Sequence, residues 1–199
     1  MARRSRVLLA LAGGVILATV FLCRAVFLGS PSPSTDFRQA WKLYRSSGNR
    51  YSLQYPAEIS PRLGETPAEV DFVYRGKVQA EQTELTDGYS LSVTLGVLPT
   101  GVSLRGLLDQ EILKLREIGQ LTVGVHPVHM AGKDGLGYSA RTLADYTVIS
   151  LPLDATTTLR LAYGAIDPRH VGYGQTLQRM VESLKIPADG AGDSSSIRE

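Results

Sequence analysis

The sequence predicts an α+β fold built on a mainly antiparallel sheet. Short segments of alternating apolar and polar residues recur along the chain, most of them joined by links of hairpin length. Two other segments repeat apolar residues at spacings of three and four, the helical period. The order is strands, helix, strands, helix, without the strict strand–helix alternation of a parallel sheet.

Residues 37–45 fit either a strand or the last turns of a short helix. Ser46-Ser47-Gly48-Asn49 is a turn cluster. Tyr51-Ser52-Leu53-Gln54-Tyr55 alternates with aromatic ends and reads as a strand stopped by Pro56. If the preceding segment is also a strand, the two form a hairpin. In residues 70–75, Val70, Phe72 and Tyr74 share one face. Residues 77–86 are polar and read as an edge strand.

Residues 90–98 give the clearest strand. Leu91, Val93, Leu95 and Val97 lie on one face, with Ser90, Ser92, Thr94 and Gly96 on the other. Such small polar residues suit a second face that is lightly covered or tightly packed. Residues 103–119 then read as a helix whose stripe is Leu104, Leu107, Leu108, Ile112, Leu115 and Ile118. Ser103 caps its start and Gly119 ends it.

Strands follow at 121–128, 136–143, 145–151 and 157–165. A turn is expected at Gly132-Lys133-Asp134-Gly135 and another at Asp154-Ala155. Residues 169–184 form the second helix, with Tyr173, Leu177, Met180, Val181 and Leu184 as its stripe. Gly172 and Gly174 weaken its first turns. Residues 188–199 hold almost nothing apolar and read as a disordered tail.

The N-terminal segment differs in kind. Arg3, Arg4 and Arg6 precede an uncharged run that reaches Cys23, and only Arg24 interrupts the apolar stretch to Leu28. Residues 7–28 would extend about 33 Å as a helix, against a bilayer core of about 30 Å. Residues 1–29 therefore read as a signal anchor, a transmembrane helix that holds the N-terminus inside and the domain outside the cytoplasm. Two processed forms are the alternatives. Lipidation at Cys23 would want small residues where Val20-Phe21-Leu22 stand, and cleavage near Gly29-Ser30 would fall directly before Pro31. Ser and Pro alternate from Ser30 to Ser34, and residues 30–36 read as an extended Ser/Pro-rich spacer. A globular domain at 37–187 follows.

Charge and cysteine content exclude some function classes. Of the 21 Lys plus Arg, four precede residue 30, leaving seventeen against all 19 Asp plus Glu. The part beyond the leader is thus near −2, although the whole chain is +2. Nucleic-acid binding needs phosphate-neutralising cations gathered on one face, and this balance supplies none. The single cysteine, Cys23, rules out an intramolecular disulfide and a thiolate zinc site.

Trp41-Lys42-Leu43-Tyr44 followed by Tyr51-Ser52-Leu53-Gln54-Tyr55-Pro56 resembles the opening of PsbP-like domains. The mid-chain amphipathic helix, the later hairpins and the close Val181-Glu182-Ser183-Leu184-Lys185-Ile186 are similar to the same layout, with Leu184 in place of the usual aromatic. The resemblance covers roughly residues 38–187. It implies an α/β/α sandwich with an antiparallel central sheet, and a strand at Trp41 to Tyr44. Family members are mostly non-enzymatic: some are photosystem subunits, one relative binds a small nuclear GTPase, and many bacterial members are exported. No residue here carries over photosystem or GTPase binding.

Candidate chemistry is sparse. His126 and His129 flank Pro127 in a strand, where an odd spacing puts them on opposite faces, so they are not expected to form a metal pair. His170 has no Gly-x-Ser-x-Gly nucleophile to serve and reads as a polar group at a helix start. Gly132, Gly135 and Gly137, and likewise Gly172 and Gly174, lack the strand–loop–helix context that cradles phosphate. Asp109, Glu111 and Glu117 read as the solvated face of the first helix. Trp41, Tyr44, Tyr51, Tyr55 and Tyr74 are the candidate binding groove, since apolar faces with polar tips suit recognition; core packing explains them equally well.

The expected function is a membrane-anchored, extracytoplasmic accessory or binding domain without catalysis or cofactor. Its partners are the membrane, through the N-terminal helix, and a protein or small ligand whose identity the residues leave open. The alternatives are a small exported hydrolase with a spatially assembled site and a purely structural envelope protein.

Overall fold

The computed structural model describes residues 40–64, 66, 68–78 and 84–187. The expected leader, the spacer and the tail at 188–199 lie outside the described residues. Among the described residues, no helix is long and apolar enough to cross a membrane.

Strands β1 (Trp41–Arg45) and β2 (Ser52–Pro56) pair antiparallel, Trp41 opposite Pro56 and Arg45 opposite Ser52. Within the segment that read as strand or helix, Trp41–Arg45 is thus a strand. The connection is a tight turn in which Gly48 and Asn49 take φ of 67° and 51°. Ser46 Oγ accepts the Tyr51 N–H at 3.0 Å and closes it.

Among the described residues the main sheet has seven strands: β3 (Arg62–Leu63), β4 (Glu69–Arg75), β5 (Gly88–Val97), β6 (Gln120–Met130), β7 (Lys133–Arg141), β8 (Asp145–Pro152) and β9 (Thr157–Ile166). Their order is β3-β4-β5-β9-β8-β7-β6, and every neighbouring pair is antiparallel. Helix α1 (Leu104–Leu115) joins β5 to β6, and α2 (Tyr173–Glu182) follows β9. An α+β fold on an antiparallel sheet is therefore observed.

Several boundaries differ from expectation for local reasons. The expected edge strand at 77–86 is absent among the described residues. The Asp87 carbonyl accepts the Gly76 N–H at 2.8 Å, and its carboxylate accepts the Val78 N–H at 2.9 Å. These bonds tie Gly76 and Val78 to Asp87, and the short β3 takes the edge beside β4. The β6–β7 turn sits at Ala131-Gly132, both with positive φ, the backbone of a two-residue hairpin turn. Lys133 to Gly135 consequently pair within the ladder.

Helix α1 begins as expected, with Ser103 Oγ accepting the Gly106 N–H at 3.0 Å. It ends sooner, and Ile118 is 76% exposed, outside the stripe. Gly119 is required by close approach, because a Cβ there would lie 2.6 Å from the Arg141 carbonyl oxygen. Helix α2 starts later than residue 169. His170 and Gly172 have φ of 54° and 94°, and the Asp167 carboxylate accepts the N–H groups of Val171, Gly172 and Tyr173 at 2.7–3.1 Å. That carboxylate satisfies donors a helix start leaves orphaned.

The sheet carries a core on each face. Leu91, Val93, Leu159, Leu161 and Ile149 pack against Leu177, Met180 and Val181 of α2, together with Tyr51 and Leu53 of the hairpin. Val148, Tyr138 and Ala140 turn the other way, onto Leu108, Ile112 and Leu115 of α1. Strand alternation explains why the adjacent residues Val148 and Ile149 belong to different cores. The helices are offset as well as opposed: α1 packs on β6 and β7, α2 on β5 and β9.

Candidate functional site

Each offset helix leaves part of its sheet face open, and a cleft occupies each open part. The larger, about 560 Å³, runs beside α2 over the β6–β9 side of the sheet. Its sheet wall presents Met130, Ser139, Thr147, Tyr163 and Ala165, and its helix wall Gly174, Leu177, Gln178, Val181 and Glu182. The helical spacing of 174, 178 and 182 aligns those residues along the rim, while Leu177 and Val181 form the buried base.

Polar groups in this cleft are few and mutually engaged. Ser139 Oγ and Thr147 Oγ1 are 3.0 Å apart across the β7–β8 pair. Gln178 Nε2 donates to Glu182 Oε1 at 2.7 Å. Asp145, at one end, accepts from Arg141 Nε and Nη2 at 2.7 and 2.8 Å, and hydrogen bonding to this guanidinium holds its carboxyl below the usual range. Among the described residues no His, Cys, Lys or Arg lines the cleft.

The smaller cleft, about 330 Å³, lies on the opposite face, where α1 does not reach. Ser90, Ser92, Ala162 and Gly164 line it, with Tyr146 and Leu143 on one side and Leu85 on the other. Ser92 Oγ donates to Asp71 Oδ1. The small polar face expected on this strand is therefore the lightly covered one. Gly164 lines both clefts and permits close strand packing there, since a Cβ would lie 2.6 Å from the Asp145 carbonyl oxygen.

The five candidate aromatics pack elsewhere. Tyr51 is 2% exposed, within the core. Tyr44 stands edge-on to Phe72 at 5.4 Å, and Tyr55 lies 5.3 Å from the same ring. Tyr74 stacks on Tyr89 at 5.2 Å, and Trp41 lies beneath the Arg179 guanidinium. All five belong to or pack against the core beside α2, and none lines either cleft. Their role in the structure is to seat the hairpin and β4.

The histidines do not converge on the clefts either. His126 Nδ1 lies 3.0 Å from the Gly124 carbonyl oxygen, and His129 Nδ1 lies 2.7 Å from Asp134 Oδ1 at the surface. His170 is exposed in the loop before α2. Among the described residues, no three His, Cys, Asp or Glu side chains gather to hold a metal.

Glu111 departs from the expected solvated face of α1. Its carboxylate accepts from Tyr138 Oη at 3.3 Å and lies 3.4 Å from Arg160 Nε on β9. Burial, and then the Glu111 charge, push the Tyr138 phenol up to about 12. Sequence reasoning missed Ser139, Gln178 and Glu182 because each sits on the polar side of its own element, and Thr147 because it lies beyond Ile149 and Leu151 at the end of an apolar face. Only the pairing of β7 with β8 and the seating of α2 bring them to one cleft.

No protein-family model matches the chain, and no curated protein sequence does. Solved structures do match. Cyanobacterial PsbP (CyanoP) from Synechocystis sp. PCC 6803 aligns with a TM-score of 0.53 and 14% identity, over 80% of this chain and 99% of that one. LpqN, described as involved in cell envelope biogenesis of Mycobacterium tuberculosis, aligns with a TM-score of 0.47 and 14% identity, over 77% of this chain and 88% of its own. At these identities the likeness to PsbP is one of fold.

Proposed function

We propose that this chain, whose domain has a PsbP-like fold, is a membrane-anchored extracytoplasmic binding module without chemistry of its own. The large cleft beside α2 is its binding site. The observation that carries this reading is the composition of the cleft. A volume of about 560 Å³ suits a small ligand or an inserted side-chain cluster. Ser139 and Thr147 bond to each other, and among the described residues no His, Cys or Lys lines the cleft to activate either hydroxyl. The anchor rests on Arg3, Arg4 and Arg6 before the apolar run, and residues 30–36 lift the domain from the bilayer.

A photo-crosslinking residue at Gln178 of the full chain, expressed in membranes, tests the site. A specific adduct at Gln178, absent when the same group replaces Gln110 on α1, is expected. No adduct, or equal adducts at both positions, overturns it. Protease added outside intact cells should digest the domain; full protection would refute the orientation.

A further inference from the structure

We propose that the cleft beside α2 selects a cationic ligand with an apolar body, an amine carried on an aliphatic or aromatic stem. This rests on the reading of that cleft as the binding site and adds its charge preference. The apolar part has a defined place, since Met130, Tyr163, Leu177 and Val181 supply wall and base. The polar end meets acceptors. Glu182 keeps a carboxylate at the rim whose described partner is a neutral amide, Gln178 Nε2 at 2.7 Å. Asp145 contributes little net charge, because Arg141 holds both its oxygens.

A carboxylate or phosphate ligand would find the reverse of what it needs. Among the described residues no Lys, Arg or His lines the cleft, so an anion entering it would lose hydration without gaining a cationic partner there. An ammonium group entering beside Glu182 gains a charge-assisted hydrogen bond while its stem covers the apolar base. The helix presents Gly174 one turn before Gln178, and a Cβ there would meet nothing within 4 Å. That opening leaves room for the stem.

A matched pair of ligands tests the selectivity. The full chain in nanodiscs of zwitterionic lipid is titrated with 4-phenylbutylamine and with 4-phenylbutyrate, and empty nanodiscs serve as the blank. The amine is expected to bind more tightly than the acid. Glu182→Gln should weaken amine binding roughly fivefold and leave the acid unchanged. Gly174→Leu places a side chain in the cleft without a backbone clash, and should abolish amine binding while circular dichroism stays native. Acid binding equal to or tighter than amine binding, lost in Gly174→Leu, would overturn the charge preference and leave the cleft as a binding site. Amine binding indifferent to Gly174→Leu would place it elsewhere and overturn the proposal. So would the absence of any amine binding, whereas the binding-module reading stands or falls on the Gln178 adduct.

Discussion

The guanidinium carbon of Arg179 on α2 lies 4.1 Å from the ring centroid of Trp41 on β1. This contact joins the last turn of the helix to the first strand of the hairpin. An exposed cation–π pair contributes roughly 0.5–1 kcal/mol, and the aliphatic stem adds packing. Arg179→Ala should lower stability by about 1 kcal/mol. The change can be read in urea unfolding followed by fluorescence, since Trp41 is the single tryptophan. Arg179→Lys should lose less. No change in the midpoint for Arg179→Ala would show the contact to be energetically neutral.

Asp167 serves the start of α2 from five residues upstream of its cap, Gly172. Burial raises its pKa, but hydrogen bonds from Val171, Gly172 and Tyr173 outweigh burial and hold the carboxyl below the ordinary value. A depressed folded pKa contributes stability above the unfolded value of about 3.9, lost as pH falls through the folded value. Asp167→Ala should therefore cost about 1–2 kcal/mol at neutral pH. The gap from the parent chain should shrink with acidification. Thermal unfolding across an acid pH series measures both, and a gap independent of pH would argue against the capping role.

Tyr138 gives the opposite sign at the alkaline end. Its raised pKa favours the neutral phenol in the folded state, so the stabilisation is complete below about 10 and fades as pH rises through about 12. The difference in phenolate absorbance between the parent and Tyr138→Phe should show a step near 12. Glu111→Gln should move that step down, since the Glu111 charge raises the pKa. A step at the ordinary tyrosine value would contradict the burial of this hydroxyl beside Glu111.

The two cores should respond independently. Ile112 packs in the core under α1 and Ile149 in the core under α2, on opposite faces of the sheet. Ile112→Val and Ile149→Val should each cost about 0.5–1.5 kcal/mol. In the double variant the losses should add within about 0.5 kcal/mol. Denaturant midpoints measure this, and a larger interaction would mean that strain passes through β8.

Features built from neighbouring residues were legible in the chain. Ser103 stands immediately before an apolar stripe and caps α1, and Tyr173, Leu177, Met180 and Val181 recur at helical spacing and are buried. Ser90, Ser92 and Thr94 marked a face either lightly covered or tightly packed, and Ser90 and Ser92 line the smaller cleft. The later start of α2 was not legible, because the Asp167 carboxylate overrides the local preference of residues 169–172. Nor was the packing of the aromatics: a tyrosine alternation fits a groove or a core, and only the tertiary structure brings Tyr44 and Tyr55 against the Phe72 ring.

Periodicity and composition by themselves determined both helices and most strands, the inward faces of β4 and β5, and the apolar, arginine-led N-terminal segment. Tertiary structure alone decided that β9 lies between β5 and β8, that the two helices sit offset on opposite faces, and that a cleft opens on each face of the sheet. The reason is range. Alternation and capping are settled within a few residues of backbone, whereas strand partners and helix seating depend on contacts between segments tens of residues apart. A binding surface formed in the gap between such segments belongs to neither of them alone.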